Sequence, residues 1–316
     1  MILRSPSEVA DLVESVATEL ARPITVGISG FGGSGKSTLA RALAASVPGA
    51  VRVRGDDFLE PGRSHVRSTD WDGVERARLA AEVLEPFRGA RPSTFRRWDW
   101  EAGALADPEA VPSGRVLVVD VIGLFHPAVL PALDLTIWVD VDLESATRRG
   151  KARDESRGND HDQLWDDVWM PNEIAFEQRF APREQADVIY VPPCPCGSAR
   201  AYAVCCEPLH LGAPAATAEA LMRSRFSAVA LGLTSYVAAS WHPSTRPAAL
   251  DLDDATTWRR LQIVDTVAGG TDDSEGIVEF RASFRDADGA GLLHERSRFV
   301  RDDGLWFYLD GEVLSE

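Results

Sequence analysis

Cysteine is absent from this 316-residue chain except between Cys194 and Cys206, where all four stand. A disulfide scaffold spreads its cysteines along the chain, so the cluster points instead to a metal in a reducing compartment. No apolar run approaches the ~20 residues a membrane helix needs. The N-terminus, where Arg4, Glu8, Asp11, Glu14 and Glu19 interrupt the apolar residues, lacks the basic start and unbroken apolar stretch of a secretory leader. A cytoplasmic location is expected. Basic residues are outnumbered, 33 Lys plus Arg against 49 Asp plus Glu, for a formal charge of -16. So acidic a surface argues against nucleic acid or an anionic membrane as partner. Repeats and low-complexity segments are also lacking, which excludes a solenoid or a tail. With 45% hydrophobic residues the chain has material for a core, and its length suits two domains of about 150 residues each.

The first part alternates apolar strands with helices. Ser7–Leu20 is expected to be an amphipathic helix, Ile24–Ile28 a strand, Ser37–Ala45 a helix and Glu75–Phe87 a second helical stretch. Val116–Val119 and Leu135–Val139 read as buried strands, the latter followed by an Arg-rich helix. This pattern predicts an α/β domain, a parallel sheet with helices on both faces. The character changes at Val191-Pro192-Pro193. Beyond it a helix is expected over Thr217–Ser240, with Thr217 as N-cap. Candidate strands follow at Leu261–Val267, Ile277–Phe284, Leu292–Arg301 and Leu305–Leu309, the last two joined by Asp302-Asp303-Gly304. The domains expected are residues 1–191, a zinc motif at 192–212 and an α+β domain at 213–316.

Gly30-Phe31-Gly32-Gly33-Ser34-Gly35-Lys36-Ser37 fits G-x-x-x-x-G-K-[ST] between a strand and a helix. The glycines let backbone N–H groups face phosphate oxygens, and Thr38 continues into the helix. Lys36 would reach the β- and γ-phosphates of ATP, and Ser37 would hold Mg2+. Asp120 ends an apolar strand, where an acid can help hold that Mg2+. Asp56 and Asp57, in Gly55-Asp56-Asp57-Phe58, follow the short strand Val51–Val53, where a carboxylate could accept a proton from a hydroxyl. Arg148, Arg149, Lys151, Arg153 and Arg157 crowd one helical stretch that could close over a triphosphate.

Cys194-Pro195-Cys196 and Cys205-Cys206 supply the four thiolates that tetrahedral Zn2+ wants. With no open position the ion is expected to be structural. His210 is a substitute ligand that Cys206 makes unnecessary. His242, His294, Glu295 and Arg296 are the polar candidates of the last domain. His294 and Glu295 are neighbours on a strand and cannot line the same wall.

Residues 22–191 resemble the uridine kinase-like family of P-loop kinases. The phosphate loop, Gly55-Asp56-Asp57-Phe58, Trp71-Asp72-Gly73, Phe95-Arg96-Arg97-Trp98-Asp99-Trp100, Arg148–Asp154 and Ala186-Asp187-Val188-Ile189 carry the resemblance. It implies Asp56 as base, with Asp57 as runner-up, and Lys36, Arg149 and Arg153 as catalytic cations. It also implies Asp57, Asp72, Phe95, Arg97 and Trp98 as contacts for a small hydroxyl acceptor. Asp120 stands where Glu is more usual, and the arginines of Phe95-Arg96-Arg97-Trp98 depart from the family's nucleoside-holding segment. Residues 192–314 resemble the SEC-C zinc motif followed by the YchJ-like family, through Glu219–Phe226, Trp241–Pro247 and Leu293–Phe299. That resemblance implies a nuclear-transport-factor-2-like cone and a protein partner. The expected function is an ATP-dependent phosphotransferase fused to a zinc-stabilised binding domain. The alternative is an ATP-dependent switch that controls macromolecular binding by the second domain.

Overall fold

The computed structural model describes residues 1–99, 102–156, 158–250, 252, 256–286 and 288–315. Trp100 and Arg157 of the motifs above lie outside the described residues. The chain divides into two compact units. Residues 1–151 with 160–192 form the first, and residues 193–316 with 152–159 the second.

The first unit is built on six strands: β1 (Ile2–Leu3), β2 (Ile24–Ser29), β3 (Ala50–Arg54), β4 (Val116–Asp120), β5 (Leu135–Val139) and β6 (Val188–Tyr190). They lie in the order β1-β6-β5-β2-β4-β3, and every neighbouring pair is parallel. All residues of β2, β4 and β5 are buried, which is why these strands read as continuous apolar runs. A core lies on each face of the sheet. Val9, Val13 and Leu43 belong to one, Phe58, Leu79 and Phe125 to the other.

Helix α1 (Pro6–Leu20) starts at an N-cap Ser5 whose hydroxyl accepts from the Glu8 N–H, while Glu8 reaches back to the Ser5 N–H. Helix α2 (Lys36–Ser46) follows β2 directly. The expected helical stretch at Glu75–Phe87 runs over residues 76–88, with a wider π-type turn at Ala80–Leu84. Helices α3 (Leu143–Ser156) and α4 (Met170–Phe180) flank the site below. Two short antiparallel pairs, Thr94–Phe95 with Glu109–Ala110 and Trp98–Asp99 with Ala104–Leu105, form a flap.

The second unit holds an antiparallel sheet of β7 (Thr257–Ala268), β8 (Glu275–Arg285), β9 (Ala290–Asp302) and β10 (Leu305–Val313), in that order. Val278, Phe280 and Ala282 alternate inward, as the pattern predicts. Register shifts in β7 and at Arg298/Phe299 mark irregularities of the kind that curve a sheet. The single helix expected over Thr217–Ser240 is two, α5 (Ala218–Ala230) and α6 (Thr234–Ala239). The break falls at Gly232, whose φ of +73° no right-handed helix accommodates. Thr217 is the N-cap, its hydroxyl accepting from the Ala220 N–H. Among the described residues no helix is long and apolar enough to cross a membrane.

Candidate functional site

The loop between β2 and α2 sits at the carboxyl end of the sheet, where ligands of such sheets bind. Gly30, Gly33 and Gly35 have φ of +150°, +84° and +101°. At Gly33 a Cβ would lie 2.0 Å from the Ala146 carbonyl oxygen of α3, so both the backbone angle and the space demand glycine. Gly33→Ala is expected to cost at least about 2 kcal/mol, read as a melting midpoint lowered by roughly 5 °C. Lys36 is buried, and its ammonium donates to the carbonyls of Gly30 (3.0 Å) and Phe31 (2.8 Å). The Ser37 hydroxyl donates to Asp120 Oδ2 at 2.7 Å. The structure thus brings Ser37 and Asp120 into contact, with Lys36 turned back onto the loop carbonyls. Ser34 is buried within the loop, and Thr38 is exposed.

Arg52 is a member of this site that sequence reasoning missed. It donates from Nε to Asp120 Oδ1 (2.7 Å) and from Nη2 to Oδ2 (2.9 Å), and Asp120 is only 2% exposed. Burial works against the guanidinium's charge, but the Asp120 hydrogen bonds and the charges of Asp120, Asp56 and Asp57 hold its pKa above the usual value. The signal was an arginine in a short strand beside an acid-ended one, and only the pairing of β3 with β4 makes it readable.

Gly55–Phe58 forms a 3-10 turn set against β4. A Cβ on Gly55 would come within 2.3 Å of Val121 and 2.7 Å of the Asp120 carbonyl oxygen, so the turn carries Asp56 and Asp57 close to Asp120. Asp56 is half-buried. Asp57 is buried, and burial pushes its carboxyl pKa up against the pull of Arg54 and Arg97. Arg97 is exposed and hydrogen-bonded to Glu109 at 2.9 Å. Phe95 is core, stacked on Phe58 at 5.7 Å, not a free wall of a pocket. Trp98 is half-buried in the flap, and Asp72 is exposed beside the buried Trp71. The cations of α3 are engaged locally: Arg148 with Glu144, Lys151 with Asp166 and Arg153 with Asp154. Arg149 is half-buried.

Glu173, in the first turn of α4, was also missed. It is 4% exposed, and its Oε1 accepts the N–H of loop residue Gly32 at 2.7 Å. Burial pushes its pKa up to about 7, against Lys36, the Gly32 hydrogen bond and the Trp71 indole. Trp165 covers the same place, since a Cβ on Gly32 would meet its ring at 2.8 Å.

In the second unit the sulfurs of Cys194, Cys196, Cys205 and Cys206 all lie within 4.8 Å of one another. A tetrahedral zinc about 2.3 Å from each sulfur sets them about 3.8 Å apart. Cys196–Cys205 at 3.5 Å and Cys205–Cys206 at 4.0 Å fit that figure. Crowded thiols share protons: hydrogen bonds from Cys194 and Cys206 pull Cys196 far down, while the Cys196 contact and burial push Cys194 up, and the contacts with Cys194 and Cys196 push Cys206 higher still. A dication relieves that conflict by letting all four ionise. Gly197, at φ +80°, makes the turn after the first pair. His210 is a strut, with Nδ1 2.6 Å from Tyr202 Oη and Nε2 2.9 Å from the Ser224 carbonyl.

On the sheet, His294 and Arg296 share a face and both bind Glu279, each at 2.9 Å. Glu295 points to the opposite face, where it accepts from Ser297 (2.6 Å) and Tyr308 (3.1 Å). Arg225 of α5 is buried beside the Tyr308 ring, 4.5 Å to the centroid, and burial lowers its pKa to about 10. His242 bonds Ser244 through its ring at 2.6 Å and donates its backbone N–H to the Tyr308 carbonyl at 2.8 Å.

The SEC-C motif profile matches residues 193–208, and that of the YchJ middle NTF2-like domain matches residues 217–311. A structure described as a possible uridine kinase from Bacillus stearothermophilus aligns at 16% identity over 58% of this chain and 99% of that one, with a TM-score of 0.44. A SEC-C motif containing protein from Rhodopseudomonas palustris aligns at 34% identity over 39% of this chain and 99% of that one, with a TM-score of 0.35. A UPF0225 protein of Streptomyces coelicolor is 54% identical over 124 residues, 39% of this chain and 97% of that protein. With nearly the whole of such a relative matched at this identity, the chain belongs, through its SEC-C and NTF2-like region, to the UPF0225 (YchJ-like) family.

Proposed function

We propose that this chain is a nucleotide-responsive adaptor. Its P-loop unit binds MgATP, and its zinc-stabilised NTF2-like unit binds a protein partner. The observation that supports this is that the groups a nucleotide needs are already engaged with the protein itself. Lys36 holds two loop carbonyls, and Asp120 carries Arg52 and Ser37. Lys36 and the loop amides would take the phosphates, and Ser37 with Asp120 would hold Mg2+. Mg2+ at Asp120 would compete with the Arg52 contact, so nucleotide binding would alter the side chains around β3 and β4. A difference between two states is what a switch requires.

The second reading is phosphoryl transfer to a small hydroxyl acceptor, with Asp56 as base. The specific observation in its favour is that the turn carrying Asp56 and Asp57 packs, through Gly55, against Val121 and the Asp120 carbonyl at the end of β4. Asp57 and Arg97 would then face the acceptor, with Trp98 and Asp72 nearby in the flap and the 68–73 loop. Arg149 and Arg153 would neutralise the transferring phosphoryl group.

One pair of measurements separates the two. Hydrogen exchange with and without MgATP is expected to change both in the loop and within residues 193–316. A change confined to residues 1–192 removes the adaptor reading. ADP release across a panel of nucleosides and sugars is expected to be acceptor-independent and unaltered by Asp56→Asn. Acceptor-dependent release that drops by about 100-fold or more in that variant establishes the kinase instead.

A further inference from the structure

We propose that the Glu173 carboxylate competes with a nucleotide phosphate for the Gly32 amide, so that this side chain sets the affinity of the loop for anions. The inference rests on the nucleotide-binding reading above. Loop amides are what a phosphate oxygen uses in such a motif, and Glu173 holds one of them at 2.7 Å. Carboxylate and phosphate oxygens are both anionic acceptors and cannot share one N–H. The Trp165 ring packs against the same glycine, where an added Cβ would meet it at 2.8 Å.

Trp71 adds an independent observation at the same place. It is 1% exposed and adopts a φ of +52°, a conformation that costs a bulky residue energy. Its indole N–H lies close enough to favour the Glu173 carboxylate, yet Nε1 completes no hydrogen bond. A buried tryptophan with an unmet donor leaves a second N–H beside Glu173 that an anionic oxygen could use.

Proton uptake follows. The charged groups facing Glu173 are Lys36, from the loop end of α2, and Glu177, on its own helix. When the carboxyl is protonated it no longer repels a phosphate and can donate to it. Nucleotide binding then selects the protonated form, and the apparent affinity scales with the protonated fraction.

The test is calorimetric titration of the full chain with Mg2+ and a non-hydrolysable ATP analogue at pH 6 and pH 8, comparing wild type with Glu173→Gln. With a carboxyl titrating near 7, about one molecule in ten is protonated at pH 8 and about nine in ten at pH 6. The variant is therefore expected to bind about tenfold tighter than wild type at pH 8 and about equally at pH 6. The ligand's own ionisation is common to both proteins and cancels. Wild type at pH 8 should also take up close to one proton on binding, read from buffers of different ionisation enthalpy, and the variant none. Equal affinities at both pH values mean that Glu173 is only a strut, since Gln can keep the same hydrogen bond, and overturn the inference alone. Absence of binding to either protein removes the nucleotide reading and this inference with it. Should Glu173→Gln fail to fold, Glu173→Asp draws the carboxylate back by one methylene. It is expected to bind more tightly than wild type at pH 8, and no gain overturns the inference.

Discussion

Lys36→Ala is expected to weaken ATP binding by at least about 100-fold, about 2.8 kcal/mol, with or without Mg2+. The Lys36 ammonium is buried and bonded to two carbonyls, so it is preorganised beside the phosphate path. It needs only to turn from those carbonyls to phosphate oxygens. Ser37→Ala tests a different contact. Its hydroxyl meets Asp120, the pair expected to share Mg2+, so this variant should lose affinity only when Mg2+ is present. Equilibrium titration with a fluorescent ATP analogue, with and without Mg2+, reads both. If Lys36→Ala binds like wild type while melting normally, Lys36 is not a phosphate contact; if folded wild type binds no ATP, the loop is a glycine-rich turn without a nucleotide and both readings of the first unit fail.

Removing the metal from the second unit should have an effect at least as large. Cys194, Cys196 and Cys206 are 2%, 0% and 3% exposed, and with Tyr202 they are the buried core of their own small cluster. A knot of this size has little apolar area to bury, so a bound metal would replace the missing core. Structural zinc in isolated fingers is worth about 10–16 kcal/mol near neutral pH, far more than this cluster's apolar contacts could supply. Purified protein is therefore expected to carry one zinc per chain. A strong chelator, or Cys206→Ser, should unfold residues around 193–212 and lower the melting midpoint of the second unit. Acidification should release the metal, because each ligand must lose its proton to bind. Cobalt substitution gives a direct readout through the charge-transfer bands of a tetrathiolate site. A metal-free protein with unchanged melting would show instead that the cluster is four buried thiols.

The features legible in the residues alone are those whose chemistry is contiguous. The eight-residue loop declares itself because each glycine, Lys36 and Ser37 acts through its position in one turn. The cysteine cluster does so because its four thiols fall within thirteen residues, Cys194–Cys206. Strands β2, β4 and β5 were readable as unbroken apolar runs, and β8 as an alternating one, because burial on two faces or one imposes those patterns. The break at Gly232 was not, since an apolar pattern continues through it and only the local φ ends the helix. Arg52 and Asp120 are 68 residues apart, and Gly32 and Glu173 are 141 apart. Each pair meets because a parallel sheet and its flanking helices bring distant segments to one edge, a juxtaposition that no local spacing encodes. The displaced titration of Glu173 belongs to the same class. It arises from the water that folding removes around the carboxyl, against the opposing pull of the Lys36 charge, so it exists only once the chain has closed around it.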